Sequence, residues 1–185
     1  MNARGVQTPS PLTPGRIPAQ GGFWVRMNEI VIREVRVEEV PAVVELIREV
    51  LAEFDLTFGE GSETDRQVLT LPGSYRDVGG RFWVAEDAGG AIVGTCGVFP
   101  LGDGTYELRK MYLDPRARGQ RLGQRLLDEA LAWTTAEGGA RVVLDTTHQM
   151  TRAIAFYEAN GFVRDDAFIR GSRCHRGYRR DLTRR

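Results

Sequence analysis

Glu107-Leu-Arg-Lys-Met-Tyr-Leu-Asp-Pro-Arg-Ala-Arg-Gly-Gln-Arg-Leu-Gly-Gln-Arg-Leu-Leu127 is the stretch on which the reading of the whole chain turns. Glu107 to Leu113 reads as a strand, Asp114-Pro115 breaks it, and Gly119 and Gly123 punctuate the start of a helix. A strand that feeds a helix through a tight turn points the first N–H groups of that helix at one spot in space. An anion is expected there, although two glycines at a helix start also serve simply as a tight turn. Period-two alternation would set Glu107, Arg109, Met111 and Leu113 on one face of the strand.

Upstream, Arg81 to Glu86 and Ala91 to Pro100 are strand-like runs joined by Asp87-Ala-Gly-Gly90, and Gly102-Asp-Gly104 leads into Thr105 to Leu113. These turns tolerate positive φ, so the three runs form an antiparallel meander. Ile30 to Val35 reads as a further strand, and Val40, Val43, Ile47, Val50 and Phe54 recur at helical spacing over Glu38 to Phe54. Asp55 to Gly80 is poorly patterned, with one short helix expected near Glu63 to Leu69. It is a candidate substrate-facing flap, or an ordinary surface connection.

Downstream, Arg118 to Glu137 is expected to be helical, with Leu122, Leu126, Ala130 and Trp133 on one face and Gly138-Gly139 ending it. Arg141 to Thr146 is an apolar strand, Thr151 to Asn160 a short helix stopped by Gly161, and Phe162 to Ile169 a strand. Gly171 to Leu182 holds the last one. The order of elements predicts an α/β domain whose mixed sheet is antiparallel at first and parallel where a helix intervenes.

The chain has 185 residues, 42% hydrophobic and 27% charged, which suits one globular domain with a sizeable core. A single domain is expected over 29–185. Residues 1–28 carry Pro11, Pro14 and Pro18 with no period of either kind and are expected to form a disordered extension. Met27 is an alternative start. A formal net charge of zero argues against a nucleic-acid partner. Lys110 is the one lysine among 25 lysines and arginines; a coding bias explains that more easily than a functional demand. With two cysteines, no disulfide framework is expected, and no apolar run reaches membrane-spanning length, so a cytoplasmic protein without a membrane partner is the expectation. Cys96, in an apolar strand, reads as a core residue.

A P-loop is excluded because Gly-Lys-Ser/Thr does not occur, and a dinucleotide site because Gly-x-Gly-x-x-Gly does not. What remains resembles another anion loop. Arg118-Gly-Gln-Arg-Leu-Gly123 is similar to the acyl-CoA pyrophosphate loop of the GCN5-related N-acetyltransferases (GNAT), usually written Gln/Arg-x-x-Gly-x-Gly/Ala, with one departure: Arg121 occupies the position normally held by Gly. Downstream, Ala153-Ile-Ala-Phe-Tyr-Glu-Ala-Asn-Gly-Phe162 resembles the family's closing helix and strand. The two matches stand in the right order, and the resemblance covers about Ile30 to Leu182.

The resemblance implies a GNAT-like mixed sheet flanked by helices, with an antiparallel N-terminal meander and a splayed parallel central pair, Thr105 to Leu113 and Arg141 to Thr146. It implies acetyl-CoA as acyl donor, no metal, a small-molecule primary amine as acceptor, and direct attack in a ternary complex; a homodimer is compatible with it. Backbone around Met111, Tyr112 and Leu113 would hold the thioester and pantetheine. Arg118, Gly119, Gln120, Arg121, Leu122, Gly123 and Gln124 would hold the pyrophosphate. Tyr157 matches the position that often supplies the acid, and phenol and thiol acidities lie close enough for that transfer; the alternative is an aromatic packed under the last strands. Glu107 matches a catalytic glutamate of some members, the alternative being a salt bridge with Arg109. His148 is the rival base. His175 is assigned no role. The arginines Arg170, Arg173, Arg176, Arg179, Arg180, Arg184 and Arg185 could attract an anionic substrate or form a solvated edge. Two other readings remain: a non-catalytic acyl-CoA-binding module, and a nucleotide-binding domain.

Overall fold

The computed structural model describes residues 30–59 and 62–182. The expected N-terminal extension, with Arg184 and Arg185, lies outside the described residues. Four strands come first in the sheet: β1 (Val31–Glu34), β2 (Arg81–Glu86), β3 (Ile92–Gly102) and β4 (Thr105–Leu113). They pair antiparallel in sequence order, as the turn chemistry predicts. The remaining strands are β5 (Arg141–Thr146), β6 (Val163–Arg164) and β7 (Arg176–Asp181), giving the order β1-β2-β3-β4-β5-β7-β6.

Helices cover both faces. On one, α1 (Val40–Ala52), α2 (Glu63–Val68) and α3 (Gly73–Arg76) pack Val43, Ile47, Leu51, Val68 and Tyr75 against Phe82 and Val84. On the other, α4 (Leu122–Ala136) and α5 (Thr151–Ala159) pack Leu122, Leu126, Ala130 and Tyr157 against Trp83, Val98, Leu108 and Leu144. Among the described residues no helix is long and apolar enough to cross a membrane.

Three expectations are corrected. The helix expected from Arg118 starts at Leu122, because Pro115–Ala117 winds as a 3-10 turn and Arg118 returns to extended backbone. The strand expected over Phe162 to Ile169 lasts two residues, since the Asp165 carboxylate accepts from Ala167 N–H and caps a 3-10 turn at Asp166–Phe168. The third concerns β4. Thr95 pairs with Tyr112 but Gly97 with Arg109, so β4 carries one residue more than β3 across this step, and Lys110 has φ +51°. This is a β-bulge, which reverses the alternation beyond it. Met111 and Leu113 therefore join Tyr106 and Leu108 on the α4–α5 face, and Glu107 and Arg109 do not share their side.

The bulge turns Lys110 into the protein. Its ammonium meets Asp65 of α2 in an ion pair whose side chains are 5% and 0% exposed. Burial holds the pKa of the Lys110 ammonium below its ordinary value, with Arg173 and Arg109 adding to this and Asp65 offsetting part of it. Burial pushes the Asp65 carboxyl up, and Lys110, with the Gly59 N–H and Arg173, more than offsets that. Removing one partner leaves the other charge buried and alone. Asp65→Ala is expected to destabilise the fold by about 3–5 kcal/mol in urea titration, and adding Lys110→Met should recover much of that loss. Equal stabilities for Asp65→Ala and the double variant would contradict the pairing.

Candidate active site

The parallel pairing of β4 with β5 stops early. Thr105, Tyr106 and Glu107 pair with Arg141, Val142 and Val143, and the remaining residues of β4 have no partner on that side. β5 instead pairs along its whole length with β7. The strands diverge where the bulge lies, and the β5-facing backbone groups of β4 from Leu108 on are left for something other than the sheet.

A cavity of about 610 Å³ occupies this opening. Its walls are Glu107 to Tyr112 of β4, Leu144 to Thr147 at the end of β5, α5 through Ala153 and Tyr157, Ser62, Glu63, Thr64 and Gln67 around α2, and the loop Arg170 to Cys174. The poorly patterned stretch after α1 thus lines the cavity.

Tyr157 is 8% exposed and its ring meets Phe162 edge-on at 5.7 Å. Burial pushes its phenol above the ordinary value, with Cys96 and Tyr112 adding to this, so it holds its proton at neutral pH. The two readings of Tyr157 are compatible: the ring packs while the residue lines the cavity. Glu107, 4% exposed, forms the salt bridge with Arg109 that is its alternative reading. It lines the cavity and accepts from Arg109 Nε at 2.8 Å and Nη2 at 2.5 Å, both on Oε2. Arg109 is held further by Gln67 Oε1 at 2.8 Å and lies 3.9 Å from the centroid of Phe99. His148 is exposed, stacks edge-on with His175 at 4.7 Å, and is not part of the cavity wall.

Of the residues expected to hold the acyl donor, Met111 and Tyr112 line the cavity; Leu113 and Arg118 to Gln124 lie outside its lining. Arg118 ties the loop down. Its guanidinium donates to both Glu53 oxygens at 2.6 Å and to Leu113 O at 2.9 and 3.1 Å, and its backbone N–H closes the 3-10 turn on Pro115 O. The Arg118 hydrogen bonds hold the Glu53 carboxyl below the usual carboxylate range. Gln120 donates to Arg116 O, and Gln124 to Asp128 and to Asn160 past the end of α5. Gly119 has φ +75°, which favours glycine, and nothing stands within 4 Å of where its Cβ would be.

Arg121 is the N-cap of α4, with φ +61° and ψ 10°, and makes no side-chain cap hydrogen bond. Arg125 N–H reaches back to Arg121 O, so the N–H groups of Leu122, Gly123 and Gln124 precede the first helical bond. At Gly123 a Cβ would meet Leu113 at 3.4 Å and Met111 at 3.8 Å, so the glycine lets this turn pack closely on β4. The result is an uncapped helix N-terminus at the end of β4, suited to an anion. The side chain of Arg121 is exposed and does not crowd the loop.

Several cavity residues escape the sequence reading. Gln67 and Asp145 line the cavity with no signal of their own in the sequence, and Asp65, the partner of Lys110, is brought to β4 only by the fold. Lys110 did carry a signal: it is the one lysine in a chain that otherwise uses arginine.

A family model described as an acetyltransferase (GNAT) domain matches residues 78–164. The Escherichia coli protein named Uncharacterized N-acetyltransferase YjgM is 35% identical over 136 residues, 71% of this chain and 81% of that protein. The chain belongs to the GNAT acetyltransferase family. A GNAT acetyltransferase from Staphylococcus aureus has the same fold, with a TM-score of 0.77 and 26% identity over 83% of this chain and 99% of that one. A phosphinothricin acetyltransferase from Sinorhizobium meliloti, solved with AcCoA, shares the fold at a TM-score of 0.68 and 22% identity, covering 83% of this chain and 89% of that one. Within this GNAT domain Arg121 adopts the left-handed conformation that the family's usual glycine takes without steric cost. For a residue with a β-carbon that conformation costs about 1–2 kcal/mol, part of which glycine's extra unfolded-state freedom cancels. Arg121→Gly is therefore expected to raise stability by about 0.5–1 kcal/mol in urea titration. A lowered midpoint would show that the arginine side chain contributes more than its backbone loses.

Proposed function

We propose that this acetyltransferase moves the acetyl group of acetyl-CoA to a primary amine of a small molecule, by direct attack with both substrates bound in one domain spanning 29–185. The observation that carries the reading is the opening between β4 and β5: pairing ends at Glu107–Val143, and Tyr157 lines the cavity beyond. The fit of the donor is supported at both ends. Unpaired β4 backbone at Met111 to Leu113 suits the amides of a pantetheine arm, and the uncapped N-terminus of α4, with Gly119 and Gly123, suits a pyrophosphate. A neighbour of the same fold was solved with AcCoA, which supports acetyl-CoA as the donor.

Acetyl-CoA supplies an acyl group activated as a thioester. The residues of this chain do the rest. Free N–H groups of β4 orient the carbonyl and stabilise the negative charge that grows on its oxygen. Glu107, directly or through water, takes the proton that the amine sheds as the N–C bond forms. Tyr157, kept protonated by burial, gives its proton to the sulfur as the C–S bond breaks. We assign the base role to Glu107 rather than His148 because Glu107 lines the cavity and His148 does not.

Tyr157→Phe is expected to lower kcat by about 10²–10⁴-fold while acetyl-CoA still binds in calorimetry; wild-type-like turnover would remove the acid role. Glu107→Gln is expected to lower kcat/KM well below that of His148→Ala, in an assay of thiol release. The reverse order would transfer the base role to the histidine. Failure of the wild-type protein to bind acetyl-CoA would end the functional reading itself.

A further inference from the structure

The cavity wall carries charges that the transfer does not use. Two cations meet on the buried carboxylate of Asp65: Lys110 on Oδ1, and Arg173 Nη2 on Oδ2 at 2.9 Å. With Asp145 and Arg170 of the same wall counted, two acids stand against three cations, an excess of one positive charge that an anion would balance. The other acids of the wall do not correct this. Glu107 is paired with Arg109, and Glu63 with Arg66. Asp145 commits Oδ2 to the backbone N–H groups of Arg170 and Gly171, both at 2.7 Å. Arg170 adds a second guanidinium to the lining and enters no ion pair among the described residues.

The loop that presents these arginines is held in place. Asp145 fixes its start, and Cys174 N–H closes a turn on Gly171 O at 2.9 Å. Arg173 is anchored further by Nη1 to Thr57 O at 2.5 Å, so its described bonds use both Nη atoms and leave Nε. Ser62, Thr64 and Ser172 add hydroxyls to the same part of the lining. Arg173, fixed in this way, offers Nε, and the exposed guanidinium of Arg170 stands on the same loop; such groups bind carboxylate oxygens through charge-assisted N–H bonds.

We propose that the acceptor is a primary amine that also carries a carboxylate, the carboxylate held by Arg170 and Arg173 and the amine turned toward Glu107 and Tyr157. The proposal rests on the transferase reading above and names its substrate class. A single negative charge arriving at the loop balances the cluster of Asp65 and Asp145 with Lys110, Arg170 and Arg173. Acceptors that lack it leave the arginines desolvated and unmatched, which selects against them.

The test is thiol release from acetyl-CoA by the full-length protein with three matched series: free amino acids, their carboxamides and the corresponding decarboxylated amines. The free amino acids are expected to exceed both other series in kcat/KM by about 10–100-fold, the worth of one charge-assisted contact. Arg170→Gln is expected to reduce that ratio toward one, chiefly through KM for the carboxylate acceptor. It is the informative variant, because Arg173 also supports the fold through Asp65. Equal or better turnover of the amides and decarboxylated amines overturns the proposal while leaving the transferase reading intact, as does an unchanged ratio in Arg170→Gln. No turnover of any amine by protein that binds acetyl-CoA overturns both.

Discussion

One extra residue in β4 governs the rest of the structure. With Lys110 in the left-handed region, β4 bends away from β5 after three paired residues, and a continuous sheet becomes one with an opening in its middle. The conformation is unfavourable for a residue with a β-carbon, and it persists only where the surroundings over-determine it. Three contacts do so here. Thr95 Oγ1 donates to Lys110 O at 2.7 Å from β3, and Asp65 holds the ammonium from α2. Arg173 then secures Asp65 from the loop before β7. The strain of one residue is thus shared by three segments far apart in the chain, and all three line or adjoin the cavity.

The loop after β4 follows a related logic with a different balance. Asp114 caps the 3-10 turn through Arg116 N–H, and Arg118 ties the turn to the end of α1 through Glu53 and to β4 through Leu113 O. With the loop fixed from both sides, Arg121 is carried into the left-handed conformation even though it has a β-carbon. The scaffold, not the intrinsic preference of the residue, sets the backbone there. With Arg121 in this conformation the helix N-terminus stays uncapped by a side chain, although the family's pattern lapses at this point.

Much of this was legible in the sequence wherever signals were local. The bounds of β4 and β5 follow from apolar patterning and the glycine turns around them, and the splayed pair follows from the family resemblance of Arg118 to Gly123 and Ala153 to Phe162. What failed was what no local pattern encodes. A period of two predicts one face for Glu107, Arg109, Met111 and Leu113, but a bulge has no periodicity of its own and reverses the faces at Lys110. The two-residue β6 looked longer because Phe162 to Ile169 has strand-like composition, whereas the competing hydrogen bond from Asp165 decides it. Asp65 lies 45 residues from Lys110, and nothing around Ser62 to Gln67 marks it as a buried counter-ion.

The same geometry accounts for the one lysine. Every other cation of the chain is an arginine, and most of the ion-paired ones, such as Arg33, Arg76, Arg118 and Arg179, reach at least partly into solvent, where five guanidinium donors find acceptors or water. Lys110 points into a site that is 5% exposed, with the acid of Asp65 as its described side-chain partner. A guanidinium there would bury several N–H groups without partners, each costing about 1–3 kcal/mol, and its planar fork would have to displace Gly59 N–H or Arg173 from the other oxygen of Asp65. An ammonium presents a compact charge that one carboxylate oxygen can meet. The composition of the chain, which by itself looked like a coding bias, is at this position a consequence of the bulge.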